Sequence, residues 1–253
     1  MLRFLPLLLV VVWFPAYAVT EVGTRFSCST STSSSTIDCS GTVPSGTELL
    51  VCGVFGRANS DITSADWNGG ETMTELTNSD IDGSGSSQID GTAFAIVSPT
   101  AATDNVTFGL SAGSIDWWAA GCVMFDDADD GSVADATDDD SAVSSQTTDG
   151  VTVVIPNFGA SGNALLIFAA KCGDDSDPAS IDDGSYTEIF DFATGGGQNS
   201  CADGGFWGGL QTNAAGADGG TVTFSGGDDP RGGFQIEIND EPASGGLLLR
   251  RRR

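Results

Sequence analysis

The strongest constraint on the fold is that much of the chain's pattern is written twice. Residues 64–76, "SADWNGGETMTEL", are echoed at 179–189 by "ASIDDGSYTEI". Each runs from a small residue and an acid, through a turn dipeptide ending in Gly, to Thr-Glu and an aliphatic side chain. Aligning them brings further runs together. "ELLVCGVFG" (48–56) matches "ALLIFAAKC" (164–172), and "NVTFGL" (105–110) matches "TVTFSG" (221–226), both at an offset of 116. "GTAFAIV" (91–97) corresponds to "GGFWGGL" (204–210), and "WWAAGCVMF" (117–125) to "GGFQIEI" (232–238). Five short runs recurring in one order imply duplicated or pseudo-symmetric units.

The runs are rich in Val, Ile, Phe, Trp and Thr and are bounded by Gly, Asp, Ser and Asn, which predicts strands. In "NVTFGL", Val106, Phe108 and Leu110 alternate with small or polar neighbours, so one face is buried. "ALLIFAA" is apolar throughout and reads as a strand buried on both faces. Asn68-Gly69 and Asp183-Gly184 tolerate the positive φ angles of a type I′ turn, so each opening motif predicts a tight hairpin. The acidic stretch 126–150 is a linker or a crossover between sheets. The expected fold is an all-β, antiparallel sandwich over 45–240, with halves 45–126 and 160–240 joined by an acidic connection at 127–159 and related by a pseudo-twofold.

Outside that body, residues 1–18 have a cationic start at Arg3, an apolar run and the small-x-small ending Ala16-Tyr17-Ala18. This is the layout of a secretory signal peptide cleaved after Ala18. The apolar run is short for a membrane span, so no transmembrane segment is expected in the mature chain. Residues 19–44 form a Ser/Thr-rich disulfide loop, and 241–253 a flexible tail ending in Arg250–Arg253. Six cysteines in an exported chain favour disulfides. Cys28 and Cys39 bracket one loop, Cys52 and Cys122 lie on the first and last strands of the first unit, and Cys172 and Cys201 lie in the second. Six cysteines still permit 15 connectivities.

Between residues 19 and 249 only Arg25, Arg57, Lys171 and Arg231 are basic against 35 acids, so the net charge there is 4 − 35 = −31. Such a surface repels nucleic acid and anionic lipid. A saline habitat or resistance to aggregation accounts for it as simply as specific calcium sites do.

The succession "LLVCGVF…DWNGGETMTEL…FAIV…NVTFGL…WWAAGCVMF", then "NALLIFAA…YTEIF…VTFSG…FQIEI", resembles jelly-roll-like β-sandwich domains of environmental bacteria and phages, in which a Trp-Asn-Gly hairpin follows the first core strand. The resemblance covers roughly residues 45–240. It implies a sandwich fold and a surface or virion module, and it supplies no catalytic residues.

The chemistry expected of the chain is modest. Without histidine, triads that depend on it are excluded, and a zinc site is disfavoured. The sequence has no nucleophile elbow and no P-loop. Glycosidases need only two carboxylates, and Glu71 with Glu75, or Glu237 with Asp240 and Glu241, are the pairs on offer. Calcium would draw on Asp126, Asp127, Asp129 and Asp130, or on Asp174, Asp175 and Asp177, because it takes six to eight oxygens from acidic turns. A solvated acidic loop explains the same residues. Adjacent residues of a strand face opposite sides, which makes Trp118 and Trp207 the candidates for an exposed sugar platform. Asn105-Val106-Thr107 is a glycosylation sequon. The tail arginines could dock on the acidic body of another copy. These features rank a secreted structural or adhesive module first, a calcium-assisted carbohydrate-binding domain second and a glycosidase third, with self-assembly or a glycan as the expected partner.

Overall fold

The computed structural model describes residues 18–240 except 31–33, 58–59, 82–87, 112, 114, 116, 146–151, 159–162, 174–177, 183, 195–203, 213–217 and 225–229. In chain order the strands are β1 (Thr20–Glu21), β2 (Phe26–Thr30), β3 (Ile37–Val43), β4 (Leu49–Arg57), β5 (Ile62–Trp67), β6 (Glu71–Ile81), β7 (Ile89–Val97), β8 (Ala102–Leu110) and β9 (Trp118–Asp126). A one-turn helix α1 (Val133–Ala136) precedes β10 (Thr137–Ser145), β11 (Thr152–Phe158), β12 (Ala164–Cys172) and β13 (Pro178–Ile181). The chain ends with β14 (Thr187–Thr194), β15 (Gly204–Gln211), β16 (Asp218–Phe224) and β17 (Arg231–Ile238). The architecture is all-β, and every ladder among the described residues is antiparallel.

The first nine strands make one curled sheet, ordered β1-β9-β4-β7-β6-β5-β8-β3, with β2 also on β9. The curl is made by β6. Its start pairs with β5 through Met73 and Ala65, and from Thr74 onward it pairs with β7. The sheet thus folds over itself around Cys39, Trp67, Val106 and Phe108 on one side and Leu50, Val54 and Met124 on the other. The later strands form two sheets, β10-β17-β12-β15-β14 and β11-β16-β13. These two enclose Leu165, Ile167, Trp207, Val222 and Phe224.

Both β4 and β12 are apolar on both faces, as their uninterrupted runs predict, and they sit mid-sheet. Their remaining faces meet. Leu49, Val51 and Phe55 pack with Leu166, Phe168 and Ala170 in the most extensive core cluster. The result is four sheet layers, with the inner two face to face. Across that interface β2 meets β14, β9 meets β15, β4 meets β12, β7 meets β17 and β6 meets β10. Glycine provides the room: a Cβ on Gly53 would lie 2.5 Å from the Phe168 ring, and one on Gly121 would lie 2.7 Å from the Phe190 ring. Phe55 stacks on Phe234 at 4.9 Å between centroids.

Three sequence expectations need correction. Residues 19–44 are not a separate loop, because they contribute β1, β2 and β3, whose Ser and Thr side chains face outward on flanking strands. The connection 127–159 is not a linker either. It supplies β10, which pairs with β17 along its length, and β11, which pairs with β16. Finally, the two opening motifs do not fold alike. The first is a two-residue hairpin, with φ of 52° at Asn68 and 69° at Gly69 and a Gly70 N–H···O=C Trp67 bond of 3.2 Å. In the second, β13 pairs with β16 and β14 with β15. The longer connection between β13 and β14 lets Tyr186 enter the core, where Gln235 Nε2 donates to its hydroxyl.

Disulfides join Cys28 to Cys39 and Cys52 to Cys122. The second links directly opposed residues of β4 and β9. Cys172 is also disulfide-bonded, and Cys201 lies outside the described residues.

Candidate functional site

The hairpin motif is a brace. Trp67 is fully buried, and its indole N–H donates to the Thr100 carbonyl at 2.8 Å. Glu71 accepts the Thr100 N–H at 3.0 Å and also the Thr100 hydroxyl. The hairpin is thereby tied to the β7–β8 connection. Replacing Glu71 with Ala leaves the Thr100 groups to water, and we expect a loss of about 1 kcal/mol in urea denaturation with an unchanged m-value. Glu75, the other member of that carboxylate pair, accepts from Thr92 Oγ1 at 3.3 Å. Both groups thus do structural work in this conformation.

The aromatic candidates are corrected by burial. Trp118 is 6% exposed and Trp207 1%, so neither presents an open stacking face. Both are held inside because β9 and β15 have other strands packed against both faces. The Trp207 indole N–H donates to Glu188 Oε2 at 3.1 Å.

The calcium candidates separate. Asp126 and Asp127 come together with Glu48, their carboxylate oxygens lying within 4.8 Å of one another. Asp129 instead turns inward on its own loop, its Oδ1 accepting the Gly131 N–H at 2.9 Å, and Asp130 is not part of the cluster. Asp174, Asp175 and Asp177 lie outside the described residues, as do Glu241 and Arg250–Arg253. Sequence spacing does not point to Glu48, which precedes β4. The Leu49↔Phe125 register of β4 on β9 sets it beside Asp126.

A second polar group lies inside the β12–β17 layer. Glu237 Oε1 and Asn239 Oδ1 accept from Asn163 Nδ2 at 2.6 and 2.9 Å. Lys171 and Arg231 are fully buried and directly opposed across β12 and β17. Neither was a site candidate on sequence grounds, and alternation along β17 puts Arg231 on one face with Gln235 and Glu237, which reads as a solvated face.

Burial raises the Asp240 carboxyl above its ordinary value of 3.8, and its own backbone hydrogen bond partly offsets this. A raised folded-state pKa means that the protonated form suits the fold. That contribution is complete below the unfolded pKa and is lost as pH rises through the folded one. Asp240→Asn should therefore gain stability relative to the parent as pH rises through the acid range, read as the difference in urea midpoints at successive pH values.

No family model, curated protein or solved structure matches the chain. Among the described residues, no helix is long and apolar enough to cross a membrane.

Proposed function

We propose that the chain is a secreted, non-enzymatic structural or adhesive module, built from two jelly-roll-like halves related by a pseudo-twofold. The observation that carries this reading is the repeated strand order. β2-β9-β4-β7-β6 and β10-β17-β12-β15-β14 run alike in chain sequence, as do β3-β8-β5 and β11-β16-β13. The contacts of β2 with β14, β9 with β15 and β4 with β12 across the interface support a twofold along the strands. The inner apolar faces are consumed in joining the halves, which leaves outer faces and edges for contact with other molecules. Disulfides in a body this acidic fit an oxidising, extracytoplasmic setting.

The calcium-assisted carbohydrate reading ranks second, supported by the Glu48, Asp126 and Asp127 carboxylates. It loses its aromatic platform with the burial of Trp118 and Trp207. Negative-stain microscopy and light scattering of the purified chain, beside glycan-array binding with and without a chelator, separate the two. Polymers or ordered arrays support the structural role. Chelator-sensitive glycan binding by a monodisperse monomer would overturn it.

A further inference from the structure

The hairpin turn carries the one Asn-Gly pair in the chain, Asn68-Gly69. An asparagine side chain is open to attack by the backbone nitrogen of the next residue, and glycine, which has no Cβ, leaves that approach clear. Gly69 and Gly70 are exposed, and a Cβ added to either would meet nothing within 4 Å. Among the described residues, neither the Asn68 side-chain amide nor the Gly69 N–H has a hydrogen-bond partner. The nucleophile and the carbon it would attack are therefore both uncommitted. Other asparagines of the described residues lack this combination. Asn78 is followed by the fully buried Ser79, whose hydroxyl donates to the Leu76 carbonyl, and Asn105 by the fully buried Val106. Asn157 precedes the bulky Phe158. The side chains of Asn163 and Asn239 are held by Glu237 and by the Asp135 carbonyl.

The fold restrains the reaction only through the turn. Asn68 holds a φ of 52°, its N–H donates to the Asn105 carbonyl at 3.2 Å, and the Gly70 N–H donates to the Trp67 carbonyl at 3.2 Å. Bringing the Gly69 nitrogen onto Asn68 Cγ requires the main chain to rotate out of this conformation. That rotation loosens the Trp67↔Glu71 rung next to the turn, and with it the bonds from Thr100 to Glu71. β5 stays paired with β8 through Ala65 and Asp66. The motion is a local opening, which costs less than unfolding the body.

We infer that Asn68-Gly69 is a self-modification site, at which the chain converts its own asparagine to isoaspartate at a rate set by the Glu71–Thr100 brace. The only co-reactant is water. Hydroxide takes the Gly69 amide proton, and the nitrogen attacks Asn68 Cγ. A new Cγ–N bond forms, the bond from Cγ to the side-chain nitrogen breaks, and that nitrogen leaves as ammonia with a proton from water. Water then opens the cyclic imide. Breaking the new Cγ–N bond gives aspartate in an ordinary main chain. Breaking the original peptide bond to Gly69 leaves the main chain running through Cγ, which is isoaspartate. Aspartate tolerates the left-handed conformation of the turn. Isoaspartate lengthens the main chain between Trp67 and Gly70 by one carbon, so the bond between them no longer closes the same turn. Either product also adds a carboxylate to an already acidic body.

The test ages the purified full chain in mildly alkaline buffer, beside the same chain in urea and beside Glu71→Ala, with folding of the first and last checked by circular dichroism. Peptide mass spectrometry follows the exchange of amide for acid at residue 68, and an isoaspartyl methyltransferase labels the isoaspartate. In the folded chain, conversion is expected at Asn68 and not at the exposed Asn78, the internal control. Removing the brace should speed conversion about fivefold, the shift in the opening equilibrium that its loss implies, and urea should speed it further. The aged isoaspartate chain should melt below Asn68→Asp, which keeps an ordinary main chain. An Asn68 that stays intact in the folded chain while converting in urea would overturn the site, since the fold would then shield it. So would a chain that keeps Asn68 even in urea. A Glu71→Ala rate equal to that of the parent would overturn the brace as the gate.

Discussion

Replacing both Cys52 and Cys122 with alanine is expected to lower the unfolding free energy by about 4 kcal/mol, the loop-closure value for the 70-residue separation. The same change at Cys28 and Cys39, separated by 11 residues, should cost about 3 kcal/mol. Loop length accounts for only part of the contrast. Cys52 and Cys122 are both fully enclosed in the core between the folded-over layers of the first sheet, so truncation also leaves unfilled space there. In the other pair Cys39 is buried in the same core, whereas Cys28 is only partly buried on flanking β2. Thermal unfolding of the two double variants reads the difference directly. For a chain of this size, 4 kcal/mol corresponds to a fall in Tm on the order of 10 °C. A difference of only about 1 kcal/mol between the two, the loop-closure contrast by itself, would mean that the unfolded chain, and not the enclosed core, sets the effect.

What the sequence made legible was governed by local pattern. The runs 48–56, 91–97, 105–110, 117–125, 164–172, 204–210 and 232–238 all fall on strands, because continuous or alternating apolar residues between turn formers leave little else to fold into. The Asn68-Gly69 turn was legible for the same reason, since few dipeptides accept two positive φ values. β10 was not. Its sequence, TDDDSAVSS, has poor strand propensity, and its structure comes from pairing with β17.

The offset of 116 does not keep the faces of β4 and β12 alike. An offset of 116 carries Leu50, Cys52 and Val54, which line the core enclosed by the first sheet, onto Leu166, Phe168 and Ala170, which line the core between the sheets. A slip of one residue exchanges the faces of a strand, and similarity between two all-apolar runs cannot detect it. The carboxylate cluster was half legible. Asp126 and Asp127 are neighbours in sequence, whereas Glu48 reaches them through strand register alone. The buried tryptophans mark the other limit. Alternation assigns a residue to a face, but only the number of stacked layers decides whether that face sees water.

The interface between the inner layers depends on Phe168. Its ring lies 5.7–6.1 Å from the rings of Phe190, Phe206 and Phe234, and it covers the bare backbone of Gly53 on β4. Phe168→Ala is therefore expected to cost about 3–5 kcal/mol, the sum of lost transfer energy and a cavity that a double-sided sheet cannot collapse around. Gly53→Ala attacks the same contact from the other side, pushing a methyl to within 2.5 Å of the ring, and should cost about 1–3 kcal/mol by overpacking. If the two halves meet as described, the effects cannot add. In the Phe168→Ala background the new methyl on residue 53 enters vacated space, so the double variant should be no less stable than Phe168→Ala alone. Strict additivity in urea denaturation would mean that β4 and β12 do not face one another in solution.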